Sequence, residues 1–367
     1  PLRATLFQMR ATRICFQYGE ATTTAQAYCL NAALSTLSAD NTATKRVDEM
    51  LSKAQALIDD DASPSLKLEL YSARSVCGML LGRLADVLEP ARAAEDLYTS
   101  QSANGEHGDY FYMFVVRSAL VSALQFLGRH REAAEVARTI LEAAEATDNR
   151  CAVLQVTMVR TGIEQVENSC RTSRARLDRE RAELPKAGAS VLHVLHVMAV
   201  LRTACMTEEY DWALQIYAEY EPLIEASPLQ RSAYLMYLLR SIHARLLLNQ
   251  RMGSATEQPV RDHIQWLARR APLPFRVPAS TRLQARLAAL SGDRARSQEL
   301  LEVCHKAHAE IGAVDEAERD RYALGLLLGG AQGTKLIEQA IRALRHMGVQ
   351  DPEREIRAYY PELIHGA

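Results

Sequence analysis

The sequence predicts an all-α chain folded as an α–α superhelix of stacked helix pairs. A returning phrase carries the prediction: an apolar helix runs into a short Leu-Gly-Arg-like turn, and an Ala-rich helix follows at once. It reads Leu81-Gly82-Arg83 before Ala91 and Leu127-Gly128-Arg129 before Ala133-Ala134. Looser copies are Met206-Thr207-Glu208 before Trp212-Ala213 and Leu290-Ser291-Gly292 before Ala295. The spacing is roughly forty residues, the period of a helix-turn-helix solenoid unit. Two further observations agree. No run of alternating β-branched residues is bounded by hairpin turns. The 367 residues, 48% of them apolar, exceed what one compact core holds, because such cores stop growing at roughly 250–300 residues.

Taken in order, a lone helix is expected at 1–18, followed by the pairs 20–38 with 42–59 and 65–81 with 83–101. Ser63-Pro64 opens the second pair, since proline is tolerated in a first helical turn. The segment Asp109 to Thr147 shows the unit most cleanly. Val116, Leu120, Ala123, Leu124 and Leu127 fall on one face, Gly128 supplies the turn, and Ala133, Ala137, Ile140, Leu141 and Ala144 form the facing stripe. Small alanines let the second axis approach the first closely, as in tetratricopeptide-like pairs. The pairs 149–166 with 168–184, 189–206 with 209–226, and 228–249 with 257–271 follow, the first two separated by Pro185 and Gly188 and the last opened by Ser227-Pro228. The pairs 279–291 with 293–311 and 315–329 with 332–347 precede a short helix near 352–359.

Two stretches break the pattern. Ser100 to Gly108, with Asn104-Gly105, is expected to be a flexible loop, and Ala271-Pro272-Leu273-Pro274 through Pro278 an extended, non-helical bridge. That bridge divides the chain into an N-terminal array (1–270), the bridge (271–278) and a C-terminal array that continues the solenoid (279–367).

Lys and Arg number 43 against 45 Asp and Glu, a formal net charge of −2, which leaves no electrostatic footprint for nucleic acid or an anionic membrane. No segment approaches the roughly twenty apolar residues of a membrane helix, and no leader pattern opens the chain. Cys15, Cys29, Cys77, Cys151, Cys170, Cys205 and Cys304 are odd in number and scattered among Ala and Leu, as expected of reduced core residues in a cytoplasmic protein. A start at Pro1 rather than Met fits either a region of a larger polypeptide or removal of an initiator Met.

With the repeats laid out, the second half of the chain resembles the C-terminal helical-repeat region of bacterial eukaryotic-like serine/threonine kinases that also carry an ATPase module. The resemblance rests on Leu127-Gly128-Arg129-His130-Arg131-Glu132-Ala133, on Leu141-Glu142-Ala143-Ala144 before Asp148-Asn149-Arg150, and on Glu221-Pro222-Leu223 through Ser227-Pro228-Leu229 to Tyr237-Leu238-Leu239-Arg240. It ends with Leu344-Arg345-His346-Met347-Gly348-Val349-Gln350-Asp351-Pro352 and covers roughly Asp109 to Pro361. The resemblance implies that kinase and ATPase modules lie upstream and that this region is a sensor or docking arm. The architecture is also similar to the sensor arms of STAND-class regulators. No phosphate-cradling Gly-rich loop ending in Lys-Ser/Thr, no His-Arg-Asp and no Asp-Phe-Gly is present.

Each cluster of reactive residues has a plainer reading. Cys304 and His308 lie four apart on a helix beside His305, but a tetrahedral metal site needs two more ligands that no second close pair supplies. His193 and His196 share one side of a helix, where a structural or solvent-facing role outweighs catalysis. Asp59-Asp60-Asp61 resembles half of the acidic site of helical terpene cyclases, and its other half is missing. Arg171, Arg174, Arg176, Arg179 and Arg181 interleave with Asp178, Glu180 and Glu183, so that Arg174–Asp178, Arg176–Glu180 and Arg179–Glu183 compensate at i,i+4.

Tyr110, Tyr112, Arg117, Gln155, Arg160, His193, His196, Arg202, Tyr234, Tyr237 and Arg240 fall on first members of their pairs, which line the concave side of such solenoids. Aromatic and Arg side chains are the usual anchors of a peptide-binding surface. The sequence therefore predicts a non-catalytic arm binding a protein or peptide, within its own polypeptide or in another, with no nucleic acid, membrane, cofactor, metal or small-molecule substrate. The rival readings are a free-standing peptide-sensing adaptor and a helical enzyme whose site the sequence does not reveal.

Overall fold

The structure is a computed structural model that describes residues 2–38, 41–59, 61–103, 110–146, 149–186, 188–250 and 254–365. Among them there is no strand. Helix α1 (Leu2–Tyr18) precedes the pairs α2 (Ala21–Ser35) with α3 (Asn41–Ala56), α4 (Pro64–Leu81) with α5 (Leu88–Ala103), and α6 (Tyr110–Phe126) with α7 (His130–Ala146). Next come α8 (Arg150–Val166) with α9 (Ser173–Glu183), α10 (Val191–Thr207) with α11 (Tyr210–Glu225), and α12 (Ala233–Asn249) with α13 (Ser254–Arg270). The array closes with α14 (Leu273–Leu290), α15 (Arg294–Glu310), α16 (Val314–Leu328) and α17 (Gly330–Met347), then two short helices, α18 (Pro352–Tyr359) and α19 (Pro361–His365). All the expected pairs are present.

The repeating turn has one backbone cause. A residue in the left-handed region follows α4, α6, α8, α10 and α14: Gly82, Gly128, Asn168, Glu208 and Gly292. Gly128, Asn168 and Glu208 follow one another at 40-residue steps. Glycine adopts this conformation without a Cβ penalty; Asn168 and Glu208 mark copies of the turn in which glycine is missing. In the second members, Ala91, Ala94, Ala133, Ala137, Ala144 and Ala213 are buried, so the helices of each pair pack closely.

The coil returns on itself. The even-numbered helices line the superhelix axis, and after four to five pairs they meet again: α4 touches α12, α6 touches α16, and α10 touches α18. The turn at Gly82 sits against the buried Phe275, whose ring stacks on Tyr237 at 4.6 Å, and Gly128 lies under Met347. Hydrogen bonds join residues 190 and 186 positions apart, Gln165 to Glu355 and Arg354 to Asn168. Met79, Leu84, Ala119, Ala123, Tyr234, Tyr237 and Leu283 share one apolar cluster across this seam. The concave side of the first pairs is thus closed by the concave side of the later ones.

The expected extended bridge at 271–278 is wrong: α14 starts at Leu273, and only Pro272, with φ −52° and ψ 139°, is extended. Pro274 lies in the first turn, where its missing N–H has no helical partner to lose. Pro278, one turn later, forgoes a single bond, while Phe275 anchors the segment and Arg276 Nε donates to the Ala271 carbonyl at 2.8 Å. The expected loop at 100–108 begins later than the sequence suggests, because α5 runs to Ala103; 104–108 lie outside the described residues. Pro228 opens a short 3-10 turn, Pro228–Arg231, and α12 begins after it with Ser232 as its cap.

Candidate functional site

The axis is where the sequence puts its unusual chemistry. From α10, α12, α14 and α16 come Arg202, Arg245, Arg282, Arg286 and Arg319, side chains that in an ordinary helical pair would face solvent. Into the same space α18 and α19 bring Glu355, Tyr359, Tyr360 and Glu362, and α16 adds Asp315, Glu316 and Asp320. Asp351 caps α18 through the Arg354 N–H at 3.0 Å. The helix is then tied to the array by the Gln350 N–H on the Val166 carbonyl at 2.9 Å and by Asn249 on the Ala358 carbonyl at 2.8 Å.

Arg286 grips Glu362 with two bonds, Nε to Oε1 at 2.8 Å and Nη2 to Oε2 at 2.7 Å, and also donates to Asn249 at 2.8 Å. Arg319 reaches Asp315 at 2.8 Å, Glu316 at 3.0 Å and Glu355 at 2.9 Å. Arg282 pairs with Glu316 and, at 2.7 Å, with Asp320, whose carboxylate also accepts the Tyr360 hydroxyl at 2.5 Å. Burial raises carboxyl groups, but Arg282 and Arg319 hold Glu316 well below its usual range, and Arg282 with His308 holds Asp320 down at about 2. Asp315 moves the other way, raised by burial. The ring of Tyr359 sits between guanidinium groups, Arg245 at 4.2 Å and Arg319 at 4.7 Å from its centroid. Such cation–π contacts gain strength when desolvated.

Of the predicted groove residues the structure brings two to this site, Arg202 and Tyr237. Tyr234 is buried in the apolar seam beside it. The others are dispersed. Arg117 pairs with Glu95 at 2.6 Å, and Arg160 is exposed and pairs with Glu164 at 3.2 Å. Arg240 lies over Trp266 at 5.1 Å and donates to His263 at 3.2 Å. His193 caps α10, its Nδ1 accepting the Ser190 N–H at 3.0 Å, and His196 donates to the Leu177 carbonyl at 2.9 Å; burial lowers the pKa of both. Tyr112 packs beside the α6 core, Gln155 is half-buried, and the Tyr110 side chain lies outside the described residues. Membership of a first-type helix fixed the layer of these residues, whereas position around the helix decides whether a side chain meets the axis or a neighbouring repeat.

In the basic stretch of α9, Arg174–Asp178 at 3.9 Å and Arg176–Glu180 at 2.8 Å form as expected. The third pair is replaced: Glu183 pairs with Arg150. The helical pair Cys304 and His308 gains a third potential ligand, Asp320. Those atoms are engaged already: the Cys304 thiol donates to the Pro278 carbonyl at 3.3 Å, and His308 Nδ1 lies 2.7 Å from Asp320 Oδ2. Burial drives that thiol well above its ordinary pKa. Beside the Arg282 cation the three side chains form one hydrogen-bond network.

Sequence reasoning missed a buried histidine pair. Arg240 donates to His263 Nδ1 at 3.2 Å, so His263 Nε2–H donates to His243 Nδ1 at 3.0 Å, and His243 stacks on Tyr217 at 3.7 Å. Burial, mutual repulsion and Arg240 pull His243 down to about 3; burial and Arg240 pull His263 down to about 4. Their separation of 20 residues, on two members of one pair, gives no local spacing signal. Gly162 was missed too: a Cβ there would lie 2.5 Å from Arg202 Nη1, so glycine lets Arg202 cross α8 toward the axis. Among the described residues, six cysteines are unpaired, five of them buried, and no helix is long and apolar enough to cross a membrane. The chain matches no protein-family model and no curated protein.

Proposed function

We propose that the chain is a non-catalytic interaction and regulatory arm of a larger bacterial signalling protein in the cytoplasm, and that it holds a helical polypeptide along its superhelix axis. The observation that carries this reading is the docking of α18–α19 in that axis. An acidic, tyrosine-bearing helix is held by arginines from three successive even-numbered helices, through Arg286–Glu362, Arg319–Glu355 and the Arg245–Tyr359 stack. Aromatic and charge-paired anchors in a desolvated centre are the usual form of a binding hot spot. The resident helix is intramolecular, and a partner helix of the same chemistry competes with it for the same arginines.

The test is exchange in trans. A fluorescein-labelled peptide spanning 351–365 is titrated into the intact chain and into a Tyr360→Ala, Glu362→Ala chain, read by anisotropy. Weakening the resident helix should raise peptide affinity at least tenfold, and replacing the tyrosine equivalent to Tyr359 in the peptide should abolish the gain. Equal binding to both chains would contradict the reading. Stoichiometric ATP binding or ATP hydrolysis by the purified chain would contradict its non-catalytic part.

A further inference from the structure

A cavity of about 90 Å³ lies on the axis, lined by the apolar Phe126, Tyr237, Leu238, Ile242 and Leu283 and by Arg202, Arg245, Arg282 and Arg286. A second, of about 50 Å³, adjoins it and shares Phe126, Arg202, Glu316 and Tyr359. Four polar atoms of residues lining the larger cavity are sealed from solvent and have no hydrogen-bond partner: Arg202 Nε, Ser241 Oγ, Arg245 Nε and Arg286 Nη1. Of the thirteen such atoms among the described residues, four gather around this one cavity, where a bound group can supply the missing acceptors.

The charges are segregated in the same way. All five carboxylates of the axis are committed to Arg282, Arg286 and Arg319. Arg202 and Arg245 have no carboxylate within ion-pair distance among the described residues; Arg245 has only the Tyr359 side chain, and Arg202 runs over Gly162. Guanidinium stays charged in proteins, so it cannot relieve its burial by losing a proton. A buried cation left without an anion costs several kcal/mol.

We propose that this cavity is a binding site for a small carboxylate with a compact apolar body, its oxyanion held by Arg202, Arg245 and Ser241. The volume is several times the roughly 10–15 Å³ that one water needs, and the apolar lining residues suit the body of such a ligand. Bidentate recognition of a planar carboxylate is what the guanidinium fork does best. Tyr359 of α18 walls the cavity, but the site does not depend on exchange of α18–α19.

The test uses the intact chain without any peptide, with isovalerate, the neutral isovaleramide and inorganic phosphate as probes, read by calorimetry and thermal unfolding. Isovalerate should bind one-to-one and raise the melting temperature, while isovaleramide and phosphate should bind at least tenfold more weakly. Arg202→Met should weaken isovalerate at least tenfold without lowering the melting temperature of the unliganded chain, because it removes an unpaired buried charge; Arg245→Met should weaken isovalerate as much but lower that melting temperature, because it also removes the stack on Tyr359. Ser241→Val, which occupies the cavity and keeps both charges, should also weaken it and stands in if an arginine variant does not fold. No isovalerate binding, equal binding of phosphate, or unchanged binding to the variants would overturn the site. Failure here leaves the peptide exchange unaffected, and failure of exchange leaves this titration unaffected.

Discussion

Acidification should destabilise this protein through His243 and His263 more than through any exposed group. Both have folded-state pKa values below the ordinary 6.5, at about 3 and about 4. The unfolded chain therefore binds more protons between pH 6.5 and 4, and stability is present above the unfolded value and lost as pH falls. At pH 5 an unfolded histidine is about thirty parts protonated to one neutral, whereas the folded pair stays neutral. RT times the logarithm of that ratio is about 2 kcal/mol per histidine, so the pair accounts for a loss of about 4 kcal/mol between pH 7 and 5. Urea unfolding at the two pH values measures it, with a constant m-value as the condition for comparing midpoints. His243→Phe keeps the ring on Tyr217, and His263→Leu removes the second proton acceptor. The double variant should lose about 4 kcal/mol less than the parent over this range. His130 and His196, also lowered by burial, act equally in both chains. If the two chains lose stability in parallel, the buried-neutral account of the pair is refuted.

Three other outcomes are expected. Gly292→Ala and Gly128→Ala share a left-handed backbone, but the first meets nothing within 4 Å while the second places a Cβ 2.3 Å from Met347. Thermal unfolding should show a loss of about 1–2 kcal/mol for Gly292→Ala and a further 1–3 kcal/mol for Gly128→Ala. Glu362→Met should cost about 3–5 kcal/mol by stranding Arg286, and adding Arg286→Met should recover most of it in a double-mutant cycle by urea unfolding. Among the described cysteines, Cys15 should react first with a thiol reagent under native conditions, because Cys29, Cys77 and Cys170 are buried, the first two pushed to about 12 and the third to about 11; mass mapping after brief labelling reads the order.

The fold was legible because its determinants are local. The Leu-Gly-Arg turn at Gly82 and Gly128 needs a left-handed residue, and the alanine stripe of α7 needs only helical periodicity, so both are written within one repeat. The copy at Asn168 keeps the left-handed residue without the Leu-Gly-Arg wording, its turn reading Val166-Glu167-Asn168-Ser169. The Pro272–Pro278 stretch misled for the opposite reason: composition there argued against a helix, while Phe275 packing and first-turn placement of Pro274 support one. The axis was the least legible part. Arg282 and Arg286 look like surface residues of α14 until the next repeat sets Glu316 and Asp320 against the first and the terminal α19 sets Glu362 against the second. Of those three acids, Glu316 and Asp320 lie 34 and 38 residues from Arg282, and Glu362 lies 76 residues from Arg286. No periodicity within a repeat encodes a contact made between repeats.

Hydrogen exchange of the intact chain tests most directly whether α18–α19 is the resident occupant of the axis. Amides of 353–359 should be as protected as those of α16 in the free chain. Saturating peptide 351–365 should raise their exchange rate while α10, α12 and α14 stay protected. Amides that exchange at the rate of an unstructured chain before peptide is added, or protection unchanged while the peptide is bound, would contradict the account.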